Sequence, residues 1–289
     1  MKQPRPAGPR TLPVWSQAGA RSVERPVERR GTRPLGGRPA DRDLVVAEEP
    51  LEIRIAGESL MVTMRTPGDD LDLAAGLLYT EGVISSLNEV ASLVHGDASA
   101  GRDRENIVDV TVAPGQKLKA EAARRVLRAT AACGLCGKES IAAVRRRIPA
   151  LADPTTVPLE VVLALPDTIR AAQPVFSETG GLHAVGLFTP EGAPLLVRED
   201  VGRHNAVDKV IGARLRAGFP SLAGAVMLLS GRAGFELVQK AAIARVPIVC
   251  SVSAPSALAV DLAEEVGMTL VGFVRGGSAN VYTHPHRII

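Results

Sequence analysis

Apolar and charged positions alternate at Leu51-Glu52-Ile53-Arg54-Ile55, the pattern of a strand with one face buried. Ala56-Gly57-Glu58 turns the chain, and Leu60-Met61-Val62-Thr63-Met64 returns it as a second strand. Thr66-Pro67-Gly68-Asp69 is turn chemistry, and Asp69 or Asp70 supplies a cap for a helix over Leu71–Thr80 that stops near Gly82. Ile107-Val108-Asp109-Val110-Thr111-Val112 alternates again, so this part reads as a small α+β unit. Glu121–Ala132, rich in Ala, Leu and Arg, is predicted helical, and a short helix follows over Ser140–Arg147. Pro149, Pro154 and Pro158 then punctuate a linker before another helix, Leu159–Ala172.

From Leu182 the period changes. His183–Thr189 and Leu195–Arg198 are predicted strands joined across Pro190-Glu191-Gly192-Ala193, a hairpin signal. Asn205–Ala217 is a helix ending at Gly218, and Ala225–Leu229 is a short, wholly apolar strand. Helix Phe235–Arg245, strand Val246–Val252, helix Ala257–Glu265 and a last strand Met268–Val274 follow. The order is ββαβαβαβ. Such alternation requires right-handed crossovers and a largely parallel sheet covered by helices, with the initial hairpin as an antiparallel edge. The fold class is therefore α/β with a smaller N-terminal α+β domain. The expected domains are 1–42, 43–131 and 132–289.

In such a sheet, the loops that leave strand C-termini form the binding crevice. Ser230-Gly231-Arg232-Ala233-Gly234 joins glycine and a guanidinium to a helix N-terminus, a combination suited to phosphate. Ser253–Ser256 opens another helix with hydroxyls, and Phe273–Ser278 leaves the last strand as a basic, glycine-rich run. None is a Walker A loop or a GxGxxG fingerprint, and each taken singly also reads as an ordinary cap or turn. Three on one edge point to an anionic, nucleotide-like ligand. Arg198–Lys209 is the densest polar run, in which His204 with Asp200 forms either an acid–base pair or a clamp, or Asp200 and Asn205 simply cap a helix. His183, standing alone, reads as structural.

Charge alters the picture less than the total suggests. The net charge of +3 divides into nine Lys/Arg and two Glu within residues 1–40, and 25 basic against 29 acidic residues in the other 249. That basic segment holds seven prolines and five glycines with no helical or strand period, and is expected to be disordered. Its Arg29-Arg30 lacks the apolar stretch of an export signal, and no run elsewhere is long and apolar enough to span a membrane. Aromatic content of 3% argues against a base-stacking nucleic-acid surface. Three cysteines make no disulfide scaffold and fit a reducing cytoplasm.

Two of those cysteines stand in Ala132-Cys133-Gly134-Leu135-Cys136-Gly137-Lys138, each followed by glycine. The spacing lets both sulfurs reach one partner, and the glycines permit left-handed backbone and close approach. Lys138, Arg124, Arg125, Arg128 and Arg145–Arg147 surround the pair with the positive charge that favours thiolate. A structural zinc site needs four ligands, and only Cys250 offers another sulfur. A thioredoxin-like pair would follow a strand, whereas a helix is predicted here. Arginine-flanked, glycine-rich surroundings suit reactive chemistry better than two small buried residues in a turn.

Together these segments resemble the formate dehydrogenase accessory sulfurtransferases. The resemblance runs from about Glu48 to His284 and is carried by Glu49–Ile53, Thr66–Asp70, Cys133–Lys138, Thr179–His183, Asp200–Lys209, Ser230–Arg232, Val271–Phe273 and Asn280–His284. It implies a cytidine-deaminase-like mixed sheet and a homodimer. It also implies an activity: a cysteine persulfide accepts sulfur from a cysteine desulfurase and delivers it to the bis-molybdopterin guanine dinucleotide form of the molybdenum cofactor, for formate dehydrogenase. Cys133 matches the persulfide carrier and Cys136 its partner. Phe273, Val274, Arg275, Gly276, Gly277 and Ser278 match the cofactor-binding segment, with Ser278 where a second basic residue is expected. The molybdenum cofactor is thus an acceptor, with no tightly bound metal of the protein's own. Deaminase zinc chemistry uses H-x-E with P-C-x-x-C, but Ala184-Val185 follows His183 and Ala132 precedes Cys133, so deaminase activity does not carry over. A cofactor-binding chaperone that never handles sulfur is the alternative.

Overall fold

The structure, a computed structural model, describes residues 20–28, 30, 41–116 and 148–289. The expected helices Glu121–Ala132 and Ser140–Arg147, the cysteine pair Cys133/Cys136 and the 131/132 domain boundary lie outside the described residues.

The two alternating runs near the start form strands β3 (Glu49–Ile55) and β4 (Glu58–Arg65), after β1 (Ser22–Pro26) and β2 (Arg42–Val46). β1 pairs antiparallel with β2 as a separate ribbon, correcting the expectation that residues 1–42 lack strand structure throughout. The local sequence hides β1 because Ser22-Val23-Glu24-Arg25-Pro26 has no apolar alternation; only its pairing with β2 defines it. β5 (Val90–His95), which the sequence pattern missed, and β6 (Ile107–Val112) complete a four-stranded sheet of order β4-β3-β6-β5.

Helix α1 (Asp70–Thr80) lies on that sheet, and Leu73, Leu77 and Leu78 pack with Leu51, Ile53, Val108 and Val110. Its start differs from the expectation. Asp69 sits in the left-handed region (φ 58°) and makes no side-chain cap; its carboxylate instead meets Arg198 at 3.3 Å. Asp70 is taken by Arg65, which donates to both its oxygens at 2.9 and 3.0 Å in a buried fork.

The second unit contains α2 (Leu159–Ala171), α3 (Pro174–Thr179), β7 (His183–Phe188), β8 (Pro194–Asp200), α4 (Arg203–Arg216), β9 (Val226–Leu229), α5 (Phe235–Ile243), β10 (Ile248–Ser251), α6 (Ala257–Val266), β11 (Thr269–Arg275) and β12 (Ser278–Val281). The six strands form one mixed sheet of order β12-β11-β10-β9-β7-β8. β9, β10 and β11 are parallel, β7 and β8 form the antiparallel edge, and β12 adds an antiparallel strand at the far edge. The expected helix–strand order from Leu182 onward is present; α3 and β12 are additions.

Both faces of this sheet are covered, so its central strands have no polar side. In β9, Val226 and Leu228 face α2 residues Val162, Leu165 and Ile169. Met227 and Leu229 face Val207, Val210 and Ile211 of α4 and Leu237, Val238 and Ala241 of α5. A continuous apolar run of four is what a strand sandwiched in this way requires.

α1 and α4 join the two units at very short range. A Cβ on Gly76 would lie 1.9 Å from the Asp208 carbonyl oxygen, and one on Gly212 would lie 1.8 Å from that of Asp72. Two glycines thus let two helix backbones touch. Around this crossing, Asp208 of α4 binds Lys240 of α5 at 2.8 Å, while Thr80 at the end of α1 donates to Asp208 at 2.8 Å. No helix among the described residues is long and apolar enough to cross a membrane.

Candidate functional site

The three crevice loops lie side by side at the C-terminal ends of β9, β10 and β11. Ser251 Oγ donates to the Gly231 carbonyl at 2.7 Å, Ala233 N to Ala254 O at 3.2 Å, and Ser256 N to Ala233 O at 3.0 Å. Phe273 N donates to Ser253 O at 3.1 Å. Ser256 caps α6 through Ala259 N at 3.3 Å. The expected edge is therefore assembled, laced by backbone bonds and by the Ser251 and Ser256 hydroxyls.

Phe273–Ser278 is a hairpin tip between β11 and β12, where the sequence suggested only a loop. Gly276 and Gly277 both take positive φ (59° and 74°), as a two-residue hairpin turn demands. Phe273 itself has φ 54°, a costly angle for an aromatic residue, at the register shift between Gly272 and Arg275. Arg275 stacks over the Phe273 ring at 5.4 Å. Val274 is fully buried in the core against the α2 side, so of the six residues singled out only Phe273, Arg275, Gly276, Gly277 and Ser278 are at the surface.

A second group of side chains meets beside this edge, where β7 begins, β9 ends and α4 starts. His183, Arg203, Ser230, Gly231 and Arg232 line a small cleft floored by Val185, Leu229 and Leu237. Its geometry depends on Asp200, which is completely buried. Asp200 pairs with Lys209 at 2.7 Å and accepts from Gly202 N (2.8 Å), Asn205 Nδ2 (3.0 Å) and Thr66 N (3.2 Å). Asp200 is saturated as the anchor of the α4 entry and does not pair with His204. His204 Nε2 instead meets Glu236 Oε2 of α5 at 2.6 Å, leaving Glu236 Oε1 buried and unpartnered among the described residues. The acid–base pairing considered for Asp200 and His204 is corrected accordingly. Glu236 and His183 were missed: Glu236, two residues past Gly234, reads as an ordinary first-turn carboxylate of a helix, and His183 stands alone in sequence.

Burial chiefly, aided by the charges of Arg203 and His204 and opposed by Asp200, holds the His183 imidazole below its ordinary 6.5. A histidine with a depressed folded pKa is protonated first in the unfolded chain. Its contribution to stability is complete above 6.5 and is lost as pH falls from there toward the folded value. We expect the His183 ring protons to titrate in NMR with a midpoint below 6.5, and His183→Gln to soften the loss of stability on acidification. A midpoint above 6.5 would mean an anionic neighbour dominates the ring instead.

The third cysteine has no part in surface chemistry. Cys250 is free and wholly buried in β10, where desolvation pushes its thiol up to about 12. Such a thiol supplies almost no thiolate at neutral pH.

The sequence profile of the FdhD/NarQ family matches residues 46–289. The chain belongs to the FdhD/NarQ family. It is 53% identical over 251 residues to a protein of Streptomyces avermitilis named sulfur carrier protein FdhD, covering 85% of this chain and 89% of the relative. Proteins of the same name from Nocardia farcinica and Anaeromyxobacter dehalogenans strain 2CP-C are 52% and 49% identical, over 86% of this chain and 88% and 90% of theirs. A crystal structure described as a formate dehydrogenase accessory protein from Desulfotalea psychrophila superposes with a TM-score of 0.72, covering 93% of this chain and all of that one. At 24% identity this last likeness speaks to the fold. Within this family member, the Thr179–His183, Asp200–Lys209 and Ser230–Arg232 segments, far apart in sequence, converge on the one cleft.

Proposed function

We propose that this chain is a sulfur carrier serving formate dehydrogenase, with Cys133 as the carrying thiol. The observation that supports it most directly is family membership, with relatives of about half-identical sequence that bear the sulfur-carrier name. The burial of Cys250 leaves Cys133 and Cys136 as the pair for sulfur chemistry. Cys133 thiolate attacks the terminal sulfur of a persulfide on a cysteine desulfurase; that S–S bond breaks, the donor leaves as thiolate, and Cys133 holds the sulfane sulfur as a persulfide. Attack of Cys136 thiolate on the inner sulfur then releases hydrosulfide, the two thiols supplying both electrons as they become a disulfide. This step is balanced without an outside reductant.

The acceptor in this reading is the bis-molybdopterin guanine dinucleotide form of the molybdenum cofactor, docked at the Phe273–Ser278 tip in a cytoplasmic homodimer. The exposed Arg275 and the paired glycines suit an anionic ligand that must approach backbone closely. A deaminase-type ancestry of the mixed sheet belongs to the same proposal, supported by the antiparallel β7–β8 edge leading into parallel strands.

The test is intact-protein mass after incubation with a cysteine desulfurase and cysteine. Wild type is expected to gain one reducible sulfur atom, Cys133→Ala to gain none, and Cys136→Ala to load but fail to release. A gain retained in Cys133→Ala would refute the carrier assignment. No gain in wild type with an active desulfurase would leave the chaperone reading in its place.

A further inference from the structure

We propose that the outer face of the four-stranded N-terminal sheet, on its β4 side, is a docking surface for this chain's own N-terminal segment, residues 1–19. The inference starts from a face left bare. Leu51 and Ile53 of β3 point into the core shared with α1, so Pro50 and Glu52 point the other way. Pairing sets Met64 opposite Pro50 and Val62 opposite Glu52, which puts both β4 residues on that outer face. Val62 is 57% exposed and Met64 44%. β4 is also an edge strand, with β3 as its one sheet partner among the described residues. Edge strands open to water are ordinarily blunted by charge, proline or a covering element. From Ser59 to Met64, β4 has neither a charged residue nor a proline. Two neighbouring apolar side chains on such an edge form a patch that calls for a cover, unlike apolar residues scattered singly.

Chain geometry selects what covers it. Ala47 N donates to Arg21 O at 3.0 Å, and Glu49, just beyond Ala47, stands opposite Arg65. The chain before Arg21 therefore leaves from the end of the sheet where Met64 lies. From Arg21 back to Trp15 an extended chain reaches roughly 20 Å, whereas Val62 lies only about 10 Å along β4 from Arg65. The segment 117–147 departs from the opposite end, since it follows β6, whose Val110 stands opposite Ile55 at the far end of β3. It must also return to Ile148, which packs on the core of the second unit. Chemistry agrees with the geometry. Residues 1–19 hold Lys2, Arg5 and Arg10 with no Asp or Glu, and carry the apolar run Leu12-Pro13-Val14-Trp15. The sheet face holds Glu52 and Asp109 beside Arg54, and Asp97 lies close enough to act on the same guanidinium. Three carboxylates against one guanidinium leave that face acidic next to its apolar edge. A basic segment ending in an apolar run fits it, with Val14 and Trp15 set against Val62 and Met64. This argument does not depend on the sulfur-carrier reading.

Trp15 is the chain's one tryptophan, so its fluorescence reports the segment directly. The experiment is emission and acrylamide quenching of the full chain at low ionic strength, compared with a synthetic peptide of residues 1–19. The full chain is expected to emit to the blue of the peptide and to be quenched less. Val62→Lys/Met64→Lys should return both readings to the peptide's values while keeping the wild-type circular dichroism, because both side chains are exposed. Arg5→Glu/Arg10→Glu, which leaves the sheet untouched, should shift the emission part of the way to the red. Added salt should act in the same direction, since surface charge pairs are screened. Leu195→Lys, at a β8 residue that is 42% exposed, is the control and should change neither reading. Peptide-like emission in wild type, or wild-type emission in Val62→Lys/Met64→Lys, would overturn the proposal. Unchanged emission in Arg5→Glu/Arg10→Glu would do the same without any change to the folded sheet. A blue shift lost on dilution would also overturn it, by making a second copy of the chain the occupant.

Discussion

Gly212→Ala is expected to destabilise the protein by about 3 kcal/mol or more, at or beyond the upper end of ordinary overpacking. The added methyl would lie 1.8 Å from the Asp72 carbonyl oxygen and 2.6 Å from Gly76 N. Both are backbone atoms of α1, so no side chain can swing away to make room; the helices themselves must separate. Separation would pull α1 off α4 and strain the buried Thr80–Asp208–Lys240 network beside the crossing. Gly76→Ala meets the Asp208 carbonyl at 1.9 Å and should act alike. Gly234→Ala, with nothing within 4 Å of its Cβ, is the matched control and should change stability by no more than about 0.5 kcal/mol. Urea denaturation followed by circular dichroism measures all three. Wild-type stability in Gly212→Ala would show that the helices do not pack backbone to backbone.

Lys209→Met is expected to cost about 3 to 5 kcal/mol, because it strands the Asp200 carboxylate in the interior without its cation. Both side chains are fully buried and 2.7 Å apart, and Lys209 also donates to Thr66 O at 2.9 Å. The double variant Lys209→Met/Asp200→Asn should recover part of the loss, since a neutral amide keeps some hydrogen bonds and no longer needs a counter-charge. The local consequence is separate. Asp200 holds Gly202 N and Asn205, which set where α4 begins. The Gly202 amide resonance should shift in Lys209→Met even where the protein remains folded, an outcome that NMR at low temperature would detect. A single variant as stable as the double would show that the pair is not coupled.

Much of the architecture was legible because local periodicity records burial. Ile107–Val112 alternates and is β6 without adjustment, and the apolar run ending at Leu229 is a strand covered on both faces. α2 was readable despite Pro166, since its apolar positions Val162, Leu165 and Ile169 keep helical spacing toward the sheet. The failures share a cause. β1, β5 and β12 are edge or ribbon strands, where one side of the strand lacks a partner and the apolar signal is weak. Asp69 and Asp70 looked like caps because Asp before a helix usually is one. Arg198 and Arg65, from other elements, claim them instead.

The sequence by itself determined the alternating order of strands and helices from His183 to Arg275, the glycine-rich loops at its strand ends, and the Cys133/Cys136 pair as the candidate for sulfur chemistry. These are properties of neighbouring residues, set by side-chain period, backbone freedom and local charge. Only the tertiary structure decided that Asp200 serves Lys209 and Thr66 rather than His204, that His204 turns to Glu236, and that His183, Arg203 and Arg232 share a cleft. Thr66 and Asp200 are 134 positions apart, and His204 and Glu236 are 32. A charged side chain entering the interior takes whichever counter-charge the packed helices bring within reach, because its desolvation must be offset there. That choice is made by the closeness of α1 to α4 and of α4 to α5, which no local pattern encodes.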